Sequence, residues 1–311
     1  MPLDKPTIAI IGAGALGSYY GARLAQHGAN VHFLLRSEYA SVKQNGLTIK
    51  SCRGDFILPP EKINVHDDPN KMPKADLALI TIKSTANDQL PRLIAPIIKE
   101  DTILLTLQNG LGNEAFLARH FGQHRVLGGI AFVCINRTAP ATIDHSAHGL
   151  IRIGELTATP TPRLQKIADL MNASNIQCEI LPTLMQGRWE KLLWNIPFNG
   201  LSAALDQTTD RLLASPTGIA LVTHIMQDVI TAAAADGITL DPALIQTNIE
   251  KTRNMGAYYT SSHIDRQQNR PLELQALFAL PLQAAKNKNR PTPWLEMLYH
   301  QLTIVDAKQN P

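Results

Sequence analysis

From Thr7 onward the chain alternates two apolar patterns. Short runs with no polar face, such as Thr7-Ile8-Ala9-Ile10-Ile11 and Leu77-Ala78-Leu79-Ile80-Thr81-Ile82, fit strands covered on both sides. Between them lie stretches whose apolar residues recur every three or four positions, the period of a helix with one buried face. The pattern predicts strands over 7–11, 30–35, 77–82, 102–107, 126–133, 141–145 and 149–153, and a last one near 176–181. Helices are predicted near 15–27, 87–99, 113–120 and 161–173. Strands alternating with helices imply a parallel sheet wound on both faces. Past Leu181-Pro182 the period becomes helical throughout, over 184–200, 218–236, 242–252, 271–288 and 293–306. Gly237 closes one of these helices, and Asp241-Pro242 supplies the cap and first position of the next. The expected division is an α/β domain over 1–181 and an all-helical domain over 182–311.

Composition narrows the function without naming it. The 29 basic and 26 acidic residues leave a net charge of +3, and the basic residues do not cluster. No nucleic-acid or membrane-surface partner is expected from that balance. Cys52, Cys134 and Cys178 are odd in number, far apart and without C-x-x-C spacing, so neither a disulfide framework nor a metal site is expected. A reducing cytoplasm is the expected setting. With only a few residues before Thr7 no signal peptide is expected, and no apolar run is expected to approach the ~20 residues of a membrane helix.

The first strand runs straight into Gly12-Ala13-Gly14-Ala15-Leu16-Gly17, which opens a helix. In that order the first glycine permits a tight turn, the second lets backbone approach a pyrophosphate, and the third lets helix and strand pack closely. Strand, glycines, helix and second strand follow in sequence, as a Rossmann-type dinucleotide site requires. The end of the second strand reads Leu34-Leu35-Arg36-Ser37. Leucine stands where an NAD site usually places an acid for the ribose hydroxyls, and Arg36 suits a 2′-phosphate, so NADPH is the expected cofactor. The competing reading leaves Arg36 in solvent and gives the ribose to Glu38. Two later strand ends carry Ile82-Lys83-Ser84 and Gln108-Asn109-Gly110. Ligands of open parallel sheets sit at such ends. Taken alone, though, Lys83 is also a solvated lysine and Asn109 also a turn former.

In the helical half, Lys191, Asn195 and Asn199 recur every four residues among large apolar side chains, from Arg188 to Asn199. They share one helix face, and three polar groups in a buried face need a site to serve. A lysine can protonate the oxygen on which hydride delivery builds negative charge, and asparagines offer fixed donors and acceptors. The alternative is a lysine that reaches water while the asparagines cap turns. Pro197 is expected to bend this helix. Farther on, Tyr258 to Arg266 reads as a polar loop or helix start, and Glu273 sits in the first turn of another helix, where glutamate is an ordinary helix starter. His263 beside serines lacks any G-x-S-x-G elbow, which sets a hydrolase aside.

Taken together, the chain resembles the ketopantoate reductases nearly end to end. The resemblance rests on the glycine motif, Leu35-Arg36, Lys83, Gln108-Asn109-Gly110, Trp189-x-Lys191 with Asn195 and Asn199, and the stretch from Ser261 to Glu273. It implies an NADPH domain, a helical domain and an active site in the cleft between them. It further implies Lys191 as general acid and Glu273 as the group that orients it. Asn195, Asn199 and Ser261 would bind substrate, Arg36 the 2′-phosphate, and Lys83 and Asn109 would line the cleft, Asn109 also facing substrate. The expected partner is a small 2-oxoacid, with a homodimer as the assembly to test. Three departures fall on the substrate side. Thr209 stands where many members have a further asparagine, Ser261-Ser262-His263-Ile264-Asp265 departs from Ser-Met-x-Gln-Asp, and Leu272-Glu273-Leu274 departs from Thr-Glu-Ile. A paralogous reductase of another branched 2-oxoacid or β-hydroxyacid therefore stays open, as does an NADPH-binding protein without catalysis.

Overall fold

The computed structural model describes residues 5–157 and 160–309. It divides into two compact units, one of Met1–Gln108 with Asn113–Leu184, the other of Asn109–Gly112 with Met185–Pro311.

The first unit follows the order β1 (Thr7–Ile11), α1 (Ala15–Gln26), β2 (Asn30–Leu34), α2 (Tyr39–Asn45), β3 (Leu47–Ser51), β4 (Phe56–Leu58), β5 (Asn64–His66), β6 (Leu77–Ile80) and α3 (Leu90–Ile94). It continues through β7 (Ile103–Thr106), α4 (Asn113–Phe121), β8 (Val126–Ala139), β9 (Thr142–Glu155), α5 (Pro162–Ala173) and β10 (Cys178–Ile180). All the strands join one sheet in the order β4-β3-β9-β8-β7-β6-β1-β2-β5, with β10 on β9. From β5 to β8 every pairing is parallel. Strand alternation splits the apolar residues between the two faces. Ile8, Ile10, Leu77, Leu79 and Leu105 pack with α1 and α5, whereas Ala9, Ile11, Ala78, Ile80 and Leu104 pack with α3 and α4. That is the doubly wound sheet the unbroken apolar runs predicted. In β6, Leu77 to Ile80 are wholly buried, and each Leu or Ile so buried is worth ~1.5–3 kcal/mol.

The sheet is mixed beyond β8. The two short strands expected over 141–145 and 149–153 are one, β9, paired antiparallel with β8 through three register shifts. These irregularities interrupt the period of two, which is why β9 reads as two pieces. The strands β3, β4 and β5 and the helix α2 are not among the predicted elements; β4 and β5, at three residues each, are too short to show a period. The helix expected near 87–99 shrinks to a 3₁₀ turn (Ser84–Gln89) and α3. Pro96 explains the stop: Ala95 still has helical dihedrals and donates to the Pro91 carbonyl, but Pro96 has no N–H to continue the ladder.

The second unit contains α6 (Leu184–Leu205), α7 (Thr209–Leu212), α8 (Pro216–Ala235), α9 (Ala243–Arg253), α10 (Ser261–Gln267), α11 (Leu280–Lys286) and α12 (Pro293–Gln309). A π-helical turn, Gln275–Ala279, leads into α11. Helix α8 corrects the expectation that no apolar run nears membrane length: by length and composition it qualifies, alone among the described residues. Its Val222, Ile225, Met226, Val229, Ala232 and Ala233 lie in the core of this unit. Its Asp228 accepts hydrogen bonds from the backbone N–H groups of Trp294 (2.7 Å) and Leu295 (3.0 Å), at the start of α12. A helix so tied to its neighbours is a core helix.

Candidate active site

In the first unit the glycine loop leaves β1 and enters α1. Gly12 has φ +97°, and a Cβ there would lie 2.6 Å from the backbone nitrogen of Ile82. A Cβ on Gly17 would lie 2.7 Å from the Gly12 carbonyl oxygen. Both glycines are thus required by the protein's own packing. Gly14 differs, for a Cβ there would meet no atom closer than 4.0 Å. That leaves room for the close approach a phosphate would need at this position. The loop carbonyls are tied back: Thr81 Oγ1 donates to Gly12 (2.7 Å), and Ser18 Oγ and Arg137 Nη2 donate to Ala13 (both 3.0 Å). Gly14 caps α1 without a side chain, so Ala15, Leu16 and Gly17 offer first-turn amides with no intrahelical partner. The loop fits a dinucleotide pyrophosphate.

Arg36 is exposed just past β2. Glu38, the competing ribose ligand, is committed elsewhere: its carboxylate accepts from the Ala141 backbone N–H (2.9 Å) and lies 3.9 Å from Arg137. Lys83 is exposed ahead of the 3₁₀ turn that follows β6. Arg137, more than a hundred residues from the loop it braces, carried no signal in the sequence.

In the second unit α6 runs unbroken through Pro197. Trp189, Leu192, Leu193, Ile196 and Phe198 sink into the core, and the remaining face is a polar stripe. Arg188, Asn195, Asn199 and Ser202 on that stripe are buried, and Lys191 is partly so. The stripe is therefore a turn longer at each end than Lys191, Asn195 and Asn199 alone. The same spacing of three or four residues extends to Arg188 and Ser202. Among the described residues, no other protein group bonds the Asn195 or Asn199 amides.

Lys191 Nζ donates to Asn109 Oδ1 at 2.8 Å. Burial pushes the Lys191 ammonium down to about 7, helped by the Arg188 charge one turn away and opposed by Glu273. Asn109 is positioned by a specific backbone device. The π turn makes Leu280 N–H donate to Gln275, and Pro281 has no N–H for the next carbonyl, that of Ala276. Leu111 N–H fills that vacancy at 2.9 Å. The approach is so close that a Cβ on Gly110 (φ +80°) would stand 2.4 Å from the Ala276 oxygen. Glu273 is buried just before this turn, and π-helical turns often mark functional sites.

Ser261 is the half-buried first residue of α10, with no hydrogen bond to Lys191, Asn109, Asn195 or Asn199 among the described residues. Thr209 is fully buried, and its hydroxyl donates to the Gly256 carbonyl at 3.2 Å. The described residues hold no group of three or more His, Cys, Asp or Glu placed to bind a metal.

A Rossmann-type sheet with a phosphate-ready glycine loop, joined in one chain to a helical unit holding a lysine near neutral pKa, defines a dinucleotide-dependent oxidoreductase. Comparison with known proteins gives the family. Residues 8–158 match "Ketopantoate reductase PanE/ApbA", and residues 183–306 match its C-terminal counterpart. The chain is 41% identical to a 2-dehydropantoate 2-reductase of Nostoc sp., covering 98% of this chain and 97% of the relative. It is 42% identical to the crystal structure of 2-dehydropantoate 2-reductase from Geobacter metallireducens, with TM-score 0.93 over 96% of this chain and 99% of that one. A D-mandelate dehydrogenase solved with NADH and anilino(oxo)acetate shares the fold at 22% identity, TM-score 0.90, over 98% and 100% of the two chains. The chain belongs to the ketopantoate reductase family, oxidoreductases that use NADPH.

Proposed function

We propose that the protein reduces 2-dehydropantoate to (R)-pantoate, a step towards pantothenate, with Lys191 as the general acid. The observation that carries this reading is the Lys191 ammonium, partly buried on a polar helix face, bonded to Asn109 and with a pKa of about 7. An acid works best when its pKa lies near the working pH. NADPH, when bound, supplies the hydride that reaches C2. Lys191 Nζ gives its proton to the C2 oxygen as charge gathers there, and regains one from water before the next turnover. Asn109 fixes the direction of the ammonium. Glu273 holds its charge up against the burial and Arg188, which push it down. Asn195 and Asn199 offer uncommitted amides to the substrate's hydroxyl and carboxylate, with Ser261 assigned to the same task. Gly12 to Gly17 carry the cofactor pyrophosphate, and Arg36 and Lys83 its remaining charge.

One observation favours a second reading, a paralogue acting on another branched 2-oxoacid or β-hydroxyacid. The Thr209 hydroxyl, at the position where many relatives have an asparagine, is already spent on Gly256. The deciding experiment follows NADPH absorbance after ketopantoate is added to the purified protein, beside a panel of other 2-oxoacids and an NADH control. Ketopantoate turning over fastest supports the first reading. Turnover no faster than that of generic 2-oxoacids supports the paralogue.

A further inference from the structure

The first unit contains a second cluster of cations that the reduction does not use. Arg23 lies in the last turn of α1, eight residues along the helix from Ala15 and so ~12 Å from the amides of the glycine loop. It is 5% exposed. Its guanidinium stacks over Phe56 (4.8 Å) and Tyr19 (5.5 Å), and Nη2 donates to Ser51 Oγ at 3.2 Å. Its Nε is buried without a partner, and among the described residues no carboxylate pairs with it. A buried charge in that state is costly unless an opposite charge meets it. The C-terminal end of α1 offers only about half a negative charge towards that need.

The guanidinium borders a cavity of about 400 Å³ lined by Arg23, Arg53, Asn172, Asn175 and Gln177. The lining holds two arginines, three amides and no acid. Part of it is already spent. The Asn172 amide bonds the backbone of Ala168 and Cys178, and Asn175 Nδ2 bonds His27 Nε2 at 2.8 Å. Arg53 is held by its own backbone, whose N–H donates to Ser51 Oγ at 3.1 Å. Its side chain has no ion pair or hydrogen bond among the described residues. Ser51 in turn bonds His145 Nδ1 at 2.9 Å, fixing the wall between the two arginines.

We propose that this cavity is an anion site, distinct from the cofactor loop, for a small molecule bearing a phosphate or paired carboxylates. Arg23 supplies the buried, pre-oriented charge, Arg53 closes on the ligand from the exposed side, and Gln177 adds a neutral donor. Two guanidinium forks match an oxyanion better than a point charge would, and the volume exceeds what a bare ion needs.

The test uses the full chain saturated with NADPH, so that the cofactor's own phosphate contacts are filled. Inorganic phosphate and succinate are titrated separately by calorimetry at constant ionic strength. One saturable site is expected, with phosphate alone pointing to phosphate esters and succinate alone to dicarboxylates. Arg53→Gln, at an exposed position, should weaken binding at least ~10-fold and leave the KM for NADPH unchanged. Arg23→Met should abolish binding; if that variant fails to fold, Arg53→Gln still decides. No saturable binding by either probe, or equal binding by wild type and Arg53→Gln, would overturn the site.

Discussion

Replacing Glu273 with glutamine is expected to damage the enzyme in a pH-dependent way, and the size follows from the surroundings of Lys191. The ammonium sits at about 7 because burial and Arg188 lower it while Glu273 raises it. Removing a neighbouring opposite charge moves such a group by ~1–3 on the pH scale. Taking the smallest value, Lys191 falls to ~6. In the proposed mechanism reduction needs the protonated lysine, so the rate is expected to drop as pH rises through the pKa. At pH ~8 the protonated fraction falls from ~9% to ~1%, close to a tenfold loss. At pH ~5.5 it falls only from ~97% to ~76%, a loss too small to matter. The assay is kcat for NADPH oxidation at saturating substrate from pH ~5.5 to ~9. Arg188→Gln serves as the converse variant and should move the inflection upward. A loss of equal size at every pH would refute this reasoning, because Glu273 would then act by contact and not through the Lys191 charge.

Lys191→Met should abolish reduction while leaving NADPH affinity close to wild type, as read by fluorescence titration. Its stability relative to wild type also has a sign. Between pH ~7 and ~10.5 the unfolded wild type binds one more proton at Lys191 than the folded form, so wild-type stability rises with pH there. Any advantage of Lys191→Met in urea unfolding should therefore shrink across that window. Gly14→Ala should weaken NADPH binding at least ~10-fold with little change in Tm, because no protein atom crowds the new methyl. Gly17→Ala should lower stability by ~1–3 kcal/mol, since its methyl meets the Gly12 carbonyl and Thr81. Arg36→Ala should raise the KM for NADPH far more than that for NADH, and equal losses would remove Arg36 from the 2′-phosphate. Chelating agents should leave activity intact.

The sequence by itself determined what depends on neighbours along the chain. Apolar runs without a polar face forced strands buried on both sides, and the glycine spacing placed a phosphate-ready turn between β1 and α1. A four-residue period put Lys191, Asn195 and Asn199 on one helix face. Each of these is local, since a strand or helix repeats every two or about four residues whatever surrounds it. The tertiary structure decided which distant segments meet. Lys191 acquires its partner Asn109 across 82 positions, through a loop held by a carbonyl that the π turn and Pro281 leave open. Arg137 reaches Ala13 across 124 positions. Arg23 and Arg53 share a cavity because the segment after β3 folds back beside the end of α1. The pKa of Lys191 belongs to the same class, because burial is a property of the packed molecule and carries no period that a sequence can display.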